Sequence, residues 1–344
     1  MPTQVGQDFV ANLPKRLPGL LFVAAIGVVG LGLEAVQRTF LTVPIFEALV
    51  ASILVGVLVR NVFQVPEMVD AGANYAAKQV LEFAIVLLGI TIDFKRVLAA
   101  GPALLGTIAL AVVGCIVVSY AAGRALGLHS KLAVLIAVGN SICGNSAIAA
   151  VAPVIKAEKK DIASAIALTA VIGVSVVLTL PLLIPILGLS FYQYGVLAGL
   201  TVYAVPQVLA ASFPVSVISG EVATLVKLTR VMFLGPVVLV AGLLSGQSEG
   251  GAKPKRTSFL PWFVLGFIAL ATVRTLDVVP AEVATAAQDT SKYLTILAMA
   301  GLGLGVELAA VRRVGLKVAG AVVTSLIFLV TFSIGLIFLL GING

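Results

Sequence analysis

Charge is what this chain has least of. Asp, Glu, Lys and Arg together make up 11% of its 344 residues, while apolar residues make up 60%. Soluble domains carry about 25% charged residues. So little charge cannot cover a water-facing surface, which excludes a cytosolic enzyme, a nucleic-acid binder and a disordered chain. Histidine occurs once, as His129, so a multi-histidine metal site is ruled out. The two cysteines, Cys115 and Cys143, lie in apolar segments and suggest neither a disulfide framework nor a metal site. Acidic residues are outnumbered 15 to 22 by Lys and Arg. Basic residues collect in cytoplasmic loops of membrane proteins, and that reading replaces a nucleic-acid partner. No metal and no cofactor is expected.

In place of charge the chain has long apolar runs. A bilayer-spanning helix needs about 20 such residues. The sequence predicts an all-α polytopic membrane protein of about 10–11 transmembrane helices, with spans near 19–36, 45–62, 77–92, 101–122, 132–155, 162–187, 192–216, 222–245, 260–276, 291–306 and 315–341. Residues 1–18 read as a cytoplasmic N-terminal segment, 19–341 as one transmembrane domain, and 246–259 as a polar linker loop. The run from Gly19 is too long for the apolar part of a signal peptide and has no clear small-residue cleavage site, so it reads as a retained first helix. With the N-terminus inside and every span crossing, 12 Lys and Arg fall on the cytoplasmic side and 7 outside, which favours N-in and C-out. A re-entrant segment would invert the count after it.

The chain also echoes itself. Shifting it by 214 residues lays 78–123 on 292–337, so that Lys78, Gly89, Gly101 and Gly106 meet Lys292, Gly303, Gly315 and Gly320, and Asp93 meets Glu307. Seven spans separate the copies, so they cross in opposite directions, as in inverted-repeat transporters. Chance similarity among small apolar residues is the competing account.

The least lipid-like segment is Gly139-Asn140-Ser141-Ile142-Cys143-Gly144-Asn145-Ser146, inside an apolar span. Glycine weakens a helix, and Asn and Ser compete for its backbone hydrogen bonds. Unwound backbone at membrane depth persists only where protein or a water-filled cavity satisfies it. The sequence therefore predicts a discontinuous helix whose second half starts near Gly144 and points its positive end at an anion. The bland alternative is small-residue packing with polar glue. Tyr203, Pro206 and Gln207 mark a second candidate break, because proline removes a donor and clashes with the preceding turn. Lys227 and Arg230, at i and i+3, share one helix face within a span. Charges there face the protein interior or a substrate path, although Lys227 is near enough to the span's end to snorkel. Glu82 is an intramembrane carboxylate that could pair with Lys78, neutralise Arg230 or carry a coupling proton. The substrate-binding candidates are thus Asn140, Ser141, Cys143, Gly144, Asn145, Ser146, Tyr203, Pro206, Gln207, Lys227 and Arg230, with Glu82 and Lys78 for coupling or charge balance.

The run Gly139 to Ile148, with Pro206-Gln207-Val208 and the run Glu221 to Arg230, resembles the YeiH-type family of bacterial inner-membrane proteins, usually labelled sulfate exporters. Tyr203 stands where many relatives of that kind would carry histidine. More distantly, the chain is similar to the bile acid/arsenite/riboflavin transporter superfamily. That kinship implies inverted repeats, a panel domain, a core domain with crossing broken helices, and movement of the core past the panel. One departure is that the second break lies only two spans after the first; Gly301-Leu302-Gly303-Leu304-Gly305 is its rival. Together these readings lead to a secondary transporter, an exporter, of a small anion such as sulfate, sulfite or an organosulfonate, working by elevator-type alternating access in the bacterial inner membrane. An anion channel is the alternative; a membrane-embedded enzyme ranks last, since Ser141 and Cys143 have no intramembrane histidine. The partners are a small inorganic or organosulfur anion and the lipid bilayer, with room for a coupling proton or sodium ion and for a homodimer.

Overall fold

The structure, a computed structural model, describes residues 2–40, 47–91, 101–244, 262–276, 279–309 and 315–342, and among them no strand occurs. The chain runs through α1 (Pro2–Phe40), α2 (Ala48–Val62) and α3 (Glu67–Tyr75), which continues through a π-helical turn, Ala76–Val80, into α4 (Leu81–Leu88). There follow α5 (Gly101–Ala125), α6 (Ser130–Ser141), α7 (Asn145–Val151), α8 (Lys159–Thr179), α9 (Leu183–Leu187), α10 (Phe191–Thr201) and α11 (Val205–Ser212). The last are α12 (Val217–Met232), α13 (Leu234–Leu244), α14 (Trp262–Thr275), α15 (Ala281–Leu304) and α16 (Leu316–Leu339). Five helical stretches among the described residues are long and apolar enough to cross a membrane: Pro14–Phe40, Ala103–Ala125, Lys159–Leu187, Val217–Leu244 and Leu316–Leu339. The protein is an all-α, multi-pass membrane protein.

The expected single transmembrane stretch of 19–341 is built of two compact units. The first comprises Met1–Thr91 and Gly266–Glu307. Its core joins Val23 and Ile26 of α1, Val69 and Ala73 of α3, and Ala300 and Leu304 of α15. Glycines let the helices touch backbone to backbone. A Cβ on Gly19 would collide with Gly72, and one on Gly56 would sit 2.7 Å from the Ala300 carbonyl and 3.0 Å from Gly303. At one end of this unit Arg60 pairs with Asp70 (2.9 Å) and Glu307 (2.5 Å), tying α2 to α3 and to the chain after α15. The rival break at 301–305 does not occur: α15 is continuous to Leu304.

The second unit comprises Ile92–Leu265 and Leu308–Gly344. Here 132–155 and 192–216, each expected to continue across the bilayer, double back instead. Lys131 at the start of α6 donates to the Lys156 carbonyl (2.8 Å), and His129 meets Asp161 at the start of α8 (3.2 Å). The base of α6 and the end of the α7 arm therefore lie together. In the second case the Tyr194 hydroxyl donates to the Ala211 carbonyl (2.7 Å) and the Ser219 hydroxyl to the Phe191 carbonyl (2.7 Å). Gly195 lies against Ser219 and Val222, and Gly199 against Ala223 and Val226, so α12 runs parallel to α10 and α11 must return between them. The arms are short enough for this. At about 1.5 Å per residue, a helix of 7 to 12 residues reaches only part-way through a hydrocarbon layer about 30 Å thick.

The two turns are made differently. Gly144 has φ 65° and ψ −121°, a conformation that a side chain would strain, and its N–H donates to the Gly139 carbonyl (2.9 Å). Gly139 leaves room for Ile148, so α7 lies back on α6. The second turn uses extended backbone at Val202 (ψ 141°) and Ala204 (φ −98°), and Pro206 sits in the first turn of α11, where a missing N–H costs nothing. Residues 2–18 continue α1. The 246–259 linker, Asp93 of the sequence echo, and Lys95, Arg96, Lys253, Lys255, Arg256, Arg312 and Arg313 of the charge count lie outside the described residues.

Candidate functional site

A helix ends with four carbonyls that have no partner within it. At the tips of both hairpins such carbonyls would be left deep in the second unit, and two cations from α12 meet them. Arg230 Nε donates to the Ser141 carbonyl (3.1 Å), Nη1 to Gly199 (2.9 Å), and Nη2 to Asn140 (3.0 Å) and Ser141 (2.7 Å). Lys227 Nζ donates to the Ile142 carbonyl (2.5 Å) of the first tip and the Val202 carbonyl (2.9 Å) of the second. The negative ends of α6 and α10 thus face positive charge, as the helix dipole favours. Lys227 is 0% exposed and Arg230 1%. Among the described residues no carboxylate forms an ion pair with either.

Around this clamp the tips close on each other. Gly144 faces the Cβ of Tyr203 and the side chain of Thr169. The Thr169 hydroxyl of α8 donates to Asn145 Oδ1 (2.7 Å). Gln207 fixes the second turn by accepting from the Ala204 N–H (3.2 Å) and lies flat on Gly173. Ser141 spends its hydroxyl on the Ala137 carbonyl (2.6 Å). Cys115 of α5, Cys143 and Tyr203 all lie within reach of the Arg230 charge. Asn145 and Ser146 are the exposed polar positions of the first tip.

Two polar side chains at the tips are left over. Asn140 is 1% exposed, and among the described residues neither its oxygen nor its nitrogen has a hydrogen-bond partner; the hydroxyl of Tyr203, a residue also 1% exposed, has none. A buried polar group without a partner costs about 1–3 kcal/mol, so each calls for an explanation.

The structure therefore gathers all eleven substrate-binding candidates at the two tips and the α12 face beside them. Lys78 and Glu82 lie in the first unit, on the π-helical turn and α4. Sequence reasoning missed Thr169 and the carbonyls of Gly199 and Val202. With the helix bounds known, a shift of 61 residues lays α6 to α8 on α10 to α12, Pro153 on Pro214 and Thr169 on Arg230.

Comparison with known proteins agrees in extent. The family described as conserved hypothetical protein 698 matches residues 18–322. A UPF0324 membrane protein of Brucella melitensis is 49% identical over 96% of this chain and 93% of its own length. One from Bradyrhizobium diazoefficiens is 47% identical over 95% and 94%, and one from Bacillus cereus 39% identical over 81% and 83%. No solved structure matches the chain.

Proposed function

The chain belongs to the conserved hypothetical protein 698 family, the YeiH-type UPF0324 membrane proteins, and from that footing we propose that it is a secondary transporter exporting a small anion by elevator-type alternating access across the bacterial inner membrane. The observation that carries this reading is the pair of helical hairpins whose tips share two buried cations without carboxylate partners among the described residues. Half-depth helices with irregular backbone between them are tolerated in a membrane where they are buried in protein or line a water-filled cavity, and in secondary transporters such broken helices build the substrate site. The carbonyls that meet Lys227 and Arg230 carry only partial charge, so net positive charge remains there, and a mobile anion would complement it. The unit bearing the hairpins carries the anion, and the unit of α1 to α4 and α15 is the scaffold.

The hairpins also bear on topology. With both re-entrant, nine segments among the described residues cross: α1, α2, α3–α4, α5, α8–α9, α12–α13, α14, α15 and α16. Lys156, Lys159 and Lys160 then move to the cytoplasmic side, and Lys78 falls inside the helix that starts at Glu67. The Lys and Arg count becomes 14 inside to 4 outside, sharper than 12 to 7. The 214-residue shift lays α2, α3–α4 and α5 on α14, α15 and α16, and the 61-residue shift lays one hairpin and its following span on the other. In the nine-crossing scheme every one of these pairs is inverted.

Counterflow of labelled sulfite, sulfate or an organosulfonate into proteoliposomes tests the proposal. Saturable uptake accelerated by the same anion on the other side is expected. An ohmic, non-saturating anion current would replace the transporter with a channel, and no anion movement of either kind would overturn both.

A further inference from the structure

Beside the clamp, two buried polar side chains, Asn140 and Tyr203, have no hydrogen-bond partner among the described residues. Lys227 has three N–H groups, two of them engaged, and Arg230 has five, engaged in four hydrogen bonds. The Asn140 amide adds two donors and one acceptor, and the Tyr203 hydroxyl can do either. Both ends of the Asn140 amide are bare, so exchanging its oxygen and nitrogen changes nothing. The unspent hydrogen-bonding capacity beside the tips is therefore mostly donor, but not wholly: the Asn140 oxygen needs a hydrogen.

Resting on the transporter reading, we infer that the anion carried bears an O–H or N–H donor as well as its charged oxygens, and that Asn140 and Tyr203 read that donor. Hydroxy- and aminosulfonates and hydrogen-bearing oxyanions meet this description. A fully deprotonated sulfate ion supplies acceptors alone and leaves the Asn140 oxygen bare. A site built to hydrogen-bond a substrate's hydroxyl or amine rejects the analogue that lacks it, because its own buried polar group is then left unpaired.

A matched pair of probes isolates the donor. 2-Hydroxyethanesulfonate and ethanesulfonate share charge and sulfonate group and differ by one hydroxyl. Titrated calorimetrically into the purified full-length protein, the hydroxylated anion should bind at least about tenfold more tightly, the equivalent of one buried hydrogen bond. In Asn140→Leu that ratio should fall towards one. Because the ratio is first measured in the unaltered protein, a variant that fails to fold does not remove the test. Equal binding of the two probes, or tighter binding of ethanesulfonate, overturns the inference and leaves the anion transporter standing. Binding of neither probe, nor of sulfite or sulfate, removes the transporter reading itself.

Discussion

The two hairpins do the same job with opposite materials. The first turns on Gly144 in a conformation closed to side chains, among Asn and Ser; the second turns on extended backbone at Val202 and Ala204 and buries Tyr203. They differ again in the helix behind them. At equivalent places α8 offers Thr169, one hydroxyl on Asn145, whereas α12 offers Arg230, a guanidinium spread over both tips. A near-symmetric scaffold is thus charged from one side only. Symmetry supplies the paired tips, and the departure from it supplies the electrostatics.

That comparison breaks first at topology. If the hairpins enter from opposite faces, Ser130→Cys and Lys160→Cys should both resist an impermeant thiol reagent applied to intact cells, while Phe191→Cys and Val217→Cys should both label, with Cys115 and Cys143 replaced beforehand. Opposite behaviour within either pair would mean that the segment crosses after all. Next comes the charge asymmetry. Arg230→Gln leaves the Asn140, Ser141 and Gly199 carbonyls short of donors at about 1–3 kcal/mol each, so transport should vanish and melting temperature fall clearly. Thr169→Val, its counterpart, should cost no more than about 1.5 kcal/mol and leave measurable flux. If the two variants melt alike, the one-sided clamp is wrong.

The turns themselves give a smaller contrast. Gly144→Ala should destabilise by about 1–3 kcal/mol through backbone strain, whereas Ala204→Gly at the extended tip should cost under about 1 kcal/mol; thermal unfolding in detergent ranks them. The smallest effect on stability is expected of Tyr203→Phe. Removing an unpartnered buried hydroxyl should leave the melting temperature level or slightly higher while transport declines. A drop in stability with unchanged transport would make Tyr203 a packing residue.

The helical, membrane-embedded character was legible from composition, since apolar runs of that length have no soluble alternative. The first tip was legible too, because Gly, Asn and Ser in mid-span contradict their surroundings. What escaped was direction. A kinked crossing and a hairpin have the same residues; only contacts such as Lys131 with Lys156 and Tyr194 with Ala211 separate them, and those join residues with no local pattern. The kinship of the two hairpins escaped because it resides in the order and lengths of the helices, while most of the aligned side chains differ. Arg230 was visible as a buried charge, but its carbonyl partners could not be read, since every residue has a carbonyl.

The glycine crossings of the first unit carry a mechanical consequence. Where Gly19 meets Gly72 and Gly56 meets Gly303, no side-chain layer lies between the backbones to deform or repack. Sliding one helix along another would drive bulkier neighbours into a gap sized for hydrogen atoms. Such a body is stiff: it stores little elastic strain, and a force applied to it passes to its connecting segments instead of being absorbed. Deuterium exchange should therefore be slowest along α2 and α15 at these crossings, with compliance concentrated outside them.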